Sequence, residues 1–145
     1  MDIKSIEIKK ATEKDYPYCY KLDKTNMLEY VNKHWGGWNP KIFKKDFDPK
    51  NTKIILKNNR RIGYFVVLEK PKFWYISNIQ ISPRLMGKGL GSYIMKLIEK
   101  QVSKTNKPKI QLEVFKDNPA KRLYERFGYK IIEDKGSSVE MKKKL

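Results

Sequence analysis

Short runs of alternating apolar and polar residues bracket a chain whose longer apolar patterns repeat at helical spacing. The isoleucines of Ile3-Lys4-Ser5-Ile6-Glu7-Ile8 predict a first strand. Thr12, followed by Glu13 and Asp15, predicts a helix start, because its hydroxyl can accept from an early helix amide and the acids suit the positive helix end. That helix is expected to run to Met27. Between Met27 and Phe47 a helical pattern is broken around His34-Trp35-Gly36-Gly37-Trp38-Asn39-Pro40, where two glycines and a proline interrupt any continuous helix.

Lys53-Ile54-Ile55-Leu56 and Ile62-Gly63-Tyr64-Phe65-Val66-Val67-Leu68 flank a turn whose Asn58 and Asn59 tolerate the left-handed backbone of a tight hairpin. Phe73 to Ile81 reads as the third member of this antiparallel meander, ended by Ser82-Pro83. From Gly89 to Ser103, Leu90, Ile94, Leu97, Ile98 and Val102 recur at helical spacing, with Met95 widening the stripe. Ile110 to Phe115 alternates as a strand, and Asp117-Asn118-Pro119 opens a short helix that Gly128 closes. Tyr129-Lys130-Ile131-Ile132 and Ser138-Val139-Glu140-Met141 complete a mixed sheet in which strands outnumber helices.

With 145 residues, 39% of them hydrophobic and 12% aromatic, the chain can bury one core, so a single domain over residues 1–145 is expected. No run approaches the roughly 20 apolar residues of a membrane span. The start, Met1-Asp2-Ile3-Lys4, also lacks the layout of a secretion leader, and both features point to a cytoplasmic protein with no membrane partner. A lone cysteine, Cys19, makes neither an internal disulfide nor a multi-cysteine metal site, and reads as a packing residue. Thirty-three basic residues against sixteen acidic give a net charge of +17, strong enough to draw in phosphates or acidic partners. The excess is almost all lysine, scattered from Lys4 to Lys144 with no dense stripe along one helix, which argues against a nucleic-acid partner.

The junction between the fourth strand and the long helix is Arg84-Leu85-Met86-Gly87-Lys88-Gly89-Leu90-Gly91. Glycines there let the backbone turn and approach a ligand, and the first amides of a helix have no partners within it, so an anionic phosphate can accept from them. The segment is not a Walker loop, because Lys88 is followed by Gly89 rather than Ser or Thr. It is not a dinucleotide fingerprint either, since Ser92 stands where the third glycine falls.

Arg-x-x-Gly-x-Gly at Arg84 to Gly89 resembles the acetyl-coenzyme A (acetyl-CoA) signature of the GNAT N-acetyltransferase superfamily. Asn118-Pro119-Ala120-Lys121-Arg122-Leu123-Tyr124-Glu125-Arg126-Phe127-Gly128-Tyr129 is similar to that superfamily's later motif, and the order of elements from Ile3 to Met141 agrees. The resemblance implies an α/β, layered α+β fold of the acyl-CoA N-acyltransferase type, a mixed and mainly antiparallel sheet of about seven strands flanked by about four helices. It implies acetyl transfer from acetyl-CoA to a primary amine, of a small molecule or a protein, by direct attack in a ternary complex without a metal. A homodimer is common in the superfamily. Two other classes stay open from the residues alone: a non-catalytic acyl-CoA-binding module, and a basic nucleic-acid-binding protein whose affinity would fall steeply with salt.

By the same resemblance, backbone groups of Asn78, Ile79, Gln80 and Ile81 pair with the pantetheine arm, and an amide near Ile79 to Ile81 holds the oxyanion. The segment Arg84, Met86, Gly87, Lys88, Gly89, Leu90, Gly91 and Ser92 cradles the pyrophosphate, and Asn118 hydrogen-bonds the pantetheine side or caps its own helix. Tyr124 matches the tyrosine that protonates the departing thiolate, also placing it against the coenzyme. Glu113 resembles the glutamate that accepts the amine's proton in the ribosomal-protein branch, or else it is a structural carboxylate. Asn78 and Gln80 share a strand face but are neutral, so they can order a water without being bases. The acceptor is expected against Tyr30, His34, Trp35 and Trp38, whose rings offer apolar and cation–π contact or cap the core.

Overall fold

The computed structural model describes residues 2–145. Among them are seven strands, β1 (Ile6–Lys10), β2 (Thr52–Lys57), β3 (Arg60–Glu69), β4 (Trp74–Ile81), β5 (Lys109–Phe115), β6 (Lys130–Asp134) and β7 (Ser138–Lys144). Four α-helices accompany them: α1 (Tyr16–His34), α2 (Pro40–Asp46), α3 (Leu90–Ser103) and α4 (Ala120–Arg126). The strands form one sheet in the order β1-β2-β3-β4-β5-β7-β6. Pairing is antiparallel for β1–β2, β2–β3, β5–β7 and β6–β7, and parallel for β4–β5, so the sheet is mixed and mainly antiparallel as the sequence predicts. By its contacts the chain divides into two compact units, residues 2–66 with 78–88 and residues 67–77 with 89–145.

In the first unit, three sequence expectations shift. Ile3–Ser5 form a 3-10 turn rather than strand, because the Asp2 carboxylate accepts from the Lys4 amide at 3.0 Å; β1 begins only at Ile6. Thr12 does cap, accepting from Lys14 while Asp15 accepts from the Thr12 amide, but the capped turn is a 3-10 turn over Glu13–Asp15 that leads into α1. Helix α1 then runs past Met27 to His34, since no glycine or proline intervenes before the break. The break is confined to residues 35–39, where Gly36 and Gly37 take φ of +82° and +140°, and Asn39 caps α2 ahead of Pro40 by accepting from the Lys41 amide. The hairpin turn is as expected, with Asn58 and Asn59 at φ of +50° and +64°. Ala11, Cys19, Leu22, Ile54 and Tyr64 form this unit's buried core.

In the second unit, α3 buries Leu90, Ile94, Met95, Ile98 and Val102 of the stripe expected from the sequence, leaves Leu97 half-buried, and touches β5. Each such side chain, once fully buried, contributes roughly 1.5–3 kcal/mol. Ile110, Leu112 and Val114 of β5 and Val139 and Met141 of β7 are buried as well. Among the described residues no helix is long and apolar enough to cross a membrane, and no cluster of three His, Cys, Asp or Glu side chains could hold a metal ion.

Candidate active site

Asn78 and Gln80 alternate onto one face of β4, and in the first unit that face meets α1 through a continuous chain of hydrogen bonds. Asn26 of α1 donates its side-chain amide both to Gln80 Oε1 and to the Ile81 carbonyl, each at 3.0 Å. Gln80 Nε2 donates to Asn78 Oδ1 at 2.7 Å. Asn78 Nδ2 in turn donates to Asp23 Oδ1 and to the Tyr64 hydroxyl, both at 3.0 Å. The Tyr64 hydroxyl donates to the Asp23 carboxylate. The two neutral side chains expected at the site are links in a relay that ends on a carboxylate. Burial pushes the Asp23 carboxyl above its usual range, and the bonds from Asn78 and Tyr64 oppose that only in part.

Sequence reasoning overlooked Asp23, Asn26 and Tyr64. A signal for the first two was present: they sit at three-residue spacing beside Cys19 and Leu22, on the face of α1 that turns to the core, where an unpaired polar side chain would be costly. Gly63 fixes how near β3 comes to the end of β4. A Cβ there would stand 2.5 Å from the Gln80 carbonyl oxygen and 3.3 Å from the Ile81 Cα.

The expected acceptor residues separate. Tyr30 and His34 lie on α1 and are half-buried, whereas Trp35 is its C-cap and 59% exposed. Trp38 turns back onto α1: its amide donates to Asn32 Oδ1 at 3.1 Å and its indole to the Tyr20 hydroxyl at 3.2 Å. There it joins a cluster with Tyr16, Tyr20, Phe43 and Phe47, whose rings stand 5.4–6.2 Å apart. Cys19 is fully buried and its thiol is pushed up to about 12 by that burial and by Asp15, which removes it as a nucleophile. Arg84 sits in a 3-10 turn over Pro83–Leu85, followed by exposed Met86 and by Gly87 at φ +76°.

In the second unit, α3 begins on Gly89, whose φ of +87° is in the left-handed region, and no side chain caps it. Tyr93 makes the first turn's bond back to the Gly89 carbonyl, so the amides of Leu90, Gly91 and Ser92 lie ahead of the intrahelical ladder. A Cβ on Gly89 would meet nothing within 4 Å; the glycine is required by its dihedral angle, beside open space. Glu113, on β5, accepts from the Ser138 hydroxyl at 2.6 Å and pairs with Lys135 at 3.6 Å, while Lys135 reaches Glu140 at 3.1 Å. Asn118 Oδ1 accepts from the amide of Ala120, the first residue of α4, at 2.9 Å, so the carbonyl end of that side chain is engaged at the start of the helix, whose N-cap is Pro119, and its amide end keeps its donors. Tyr124 is 9% exposed, and burial pushes its phenol up to about 12. Gly128, at φ +92°, turns the chain so that Tyr129 reaches back: its amide donates to the Tyr124 carbonyl at 3.0 Å and its hydroxyl to Glu99 of α3 at 2.9 Å.

The family model described as the acetyltransferase (GNAT) family matches residues 9–129. The chain belongs to the GNAT acetyltransferase family. No curated protein matches it in sequence. Solved structures share the fold. The PaiA N-acetyltransferase of Thermoplasma acidophilum in complex with coenzyme A is 16% identical at a TM-score of 0.75, over 97% of this chain and 99% of that one. Ard1 from Thermoplasma volcanium is 18% identical at a TM-score of 0.75 over the same shares. Arabidopsis thaliana Naa50 in complex with the bisubstrate analogue CoA-Ac-MVNAL is 19% identical at a TM-score of 0.71, again over 97% and 99%.

In this GNAT chain the start of α3 fits an anionic group on chemical grounds. A helix of 14 residues with its first amides outside the ladder, no side chain capping it and open space at Gly89 offers several donors and the positive dipole end to a phosphate. The parallel ladder between β4 and β5 consists of Trp74↔Ile110, Tyr75↔Gln111 and Ile76↔Leu112, and β4 continues beyond it to Ile81.

Proposed function

We propose that the protein transfers the acetyl group of acetyl-CoA to a primary amine by direct attack of the amine on the thioester. The observation that carries this reading is the uncapped N-terminus of α3 at left-handed Gly89, in a chain of the GNAT family. Amides from Gly87 to Ser92 hold the pyrophosphate, and Arg84 and Lys88 add positive charge. Backbone groups from Asn78 to Ile81, past the end of the β4–β5 ladder, pair with the pantetheine arm; the Ile81 carbonyl already accepts from Asn26, which leaves the donors of this segment as its main contribution. An amide near Ile79 to Ile81 stabilises the oxyanion. Asn118 donates to the pantetheine through its amide end.

Tyr124 stays protonated throughout the physiological range and donates to the sulfur as the C–S bond breaks. Glu113, oriented by Ser138 and Lys135, takes a proton from the reacting nitrogen. The acceptor lies along the stretch of α1 that carries Tyr30 and His34, with exposed Trp35 at its end, and is an amine of a small molecule or of a protein; the Naa50 structure holds the bisubstrate analogue CoA-Ac-MVNAL.

Calorimetric titration with acetyl-CoA, with ATP as control and at two salt concentrations, tests the reading. Saturable binding that prefers the coenzyme and persists at higher salt is expected. Salt-sensitive binding that treats ATP and acetyl-CoA alike would reduce it to nonspecific attraction by the net charge.

A further inference from the structure

Amine acetylation begins with a difficulty: the acceptor arrives mainly as an ammonium ion and must lose a proton before it can attack. One half-buried carboxylate that no motif of the chain marks is Asp23, on α1. Asp23 receives one bond from Asn78 at 3.0 Å and another from Tyr64, both neutral donors. A carboxylate has about four acceptor positions. Two are thus filled, which leaves acceptor positions for a guest, and the residue is half-buried rather than enclosed.

The groups that face Asp23 are Tyr64 from β3, Asn78 from β4 and Cys19 from α1, none of them a cation. Glu113 differs, because Lys135 already partners it. Position along α1 adds a second argument. At 3.6 residues per turn, Tyr30 and His34 fall within about 20° of the line through Asp23, on the same stripe of the helix, Tyr30 lying about 10 Å further along it. The carboxylate and two of the expected acceptor contacts therefore share one face.

We propose that Asp23 binds the ammonium group of the acceptor and takes its first proton, with Asn78 and Tyr64 as positioning residues that aim the carboxylate. This rests on the acetyltransferase reading. Asp23 accepts one N–H proton, which frees the nitrogen lone pair; the C–N bond forms and the C–S bond breaks. The nitrogen's second proton is balanced by the one the departing thiolate takes up, and Asp23 discharges its own to water. One acetyl group moves and one proton is released to water in net. The acceptor class that follows is a primary amine bound as its cation.

The test compares the wild type with Asp23→Asn and Tyr64→Phe, using acetyl-CoA and three amines: a peptide with a free α-amine, a blocked peptide with one lysine, and spermidine. Expected for Asp23→Asn are a fall in kcat of about a hundredfold, loss of the acid limb of its pH profile, and unchanged affinity for coenzyme A by calorimetry. Tyr64→Phe, which removes one donor to the carboxylate, should move that limb to higher pH. Independently of turnover, the 13C signal of the Asp23 carboxyl should titrate above the ordinary aspartate value of about 3.9, and fall when spermidine is added to the coenzyme A complex. Wild-type kcat and pH profile in Asp23→Asn would overturn the assignment. So would a carboxyl signal indifferent to spermidine, or failure of a coenzyme-binding protein to acetylate any of the amines. Failure to bind coenzyme at all would instead sink the acetyltransferase reading beneath it.

Discussion

Asn78 of β4 donates its side-chain amide to the carboxylate of Asp23 on α1 at 3.0 Å, across 55 residues of sequence. The bond joins a position whose strand was evident from the sequence to one whose importance was not. Because Gln80 and Asn26 continue the chain to the Ile81 carbonyl, the side-chain order on α1 and the backbone at the end of β4 are held by the same network.

Asp23 binds its proton more tightly in the folded than in the unfolded chain, so its ionisation withdraws stability as pH climbs from the ordinary aspartate range through its raised folded value. Asp23→Asn removes that loss. Urea midpoints of the variant are expected to equal or exceed those of the wild type near pH 7, with the difference shrinking toward pH 3. A variant much less stable at neutral pH would show that the charged form is a structural requirement.

Tyr124→Phe is expected to lower kcat by roughly tenfold to a hundredfold, while calorimetric affinity for coenzyme A stays within twofold. Since burial keeps the phenol protonated to about 12, the wild-type profile should show no alkaline decline from Tyr124 below that value. Normal turnover in the variant would remove the hydroxyl from the chemistry and leave the ring as packing against Tyr129, 6.1 Å away.

Gly89→Glu puts a side chain into the left-handed conformation, at a cost of about 1–2 kcal/mol, and sets a like charge beside the pyrophosphate site. Titration should then detect no coenzyme binding, whereas thermal unfolding shows a folded protein. Unaltered affinity would mean that the start of α3 is only a turn.

Gly63→Ala should destabilise by about 1–3 kcal/mol in urea unfolding, because the added methyl carbon meets the Gln80 carbonyl oxygen at 2.5 Å and backbone must move. A neutral effect would show that β3 and β4 can separate there at no cost.

Periodicity was enough to read most of the elements. The stripe of α3, the paired asparagines of the β2–β3 turn and the glycine that ends α4 each express a local rule of spacing or dihedral preference, and each stands where it was expected. Boundaries failed where a single side chain decided them: Asp2 turned Ile3–Ser5 out of the strand, and the helix through Met27 went on to His34 because nothing stopped it. The acceptor residues were legible as a region only. Trp35 and Trp38 are three positions apart in one loop, yet one is exposed and the other is bonded to Tyr20, a difference made by the turn at Gly36 and Gly37.

What the sequence determined by itself was the family and the order of strands and helices, because glycine-bearing turns and apolar periods are local properties of the chain. The tertiary structure decided which polar groups meet. Asp23, Asn26, Tyr64, Asn78 and Gln80 come from α1, β3 and β4, and their partnership exists only once those elements pack and buried donors must find acceptors. The proton chemistry of an aspartate depends on that packing, since its carboxyl titrates according to the solvent it has lost and the donors it has gained.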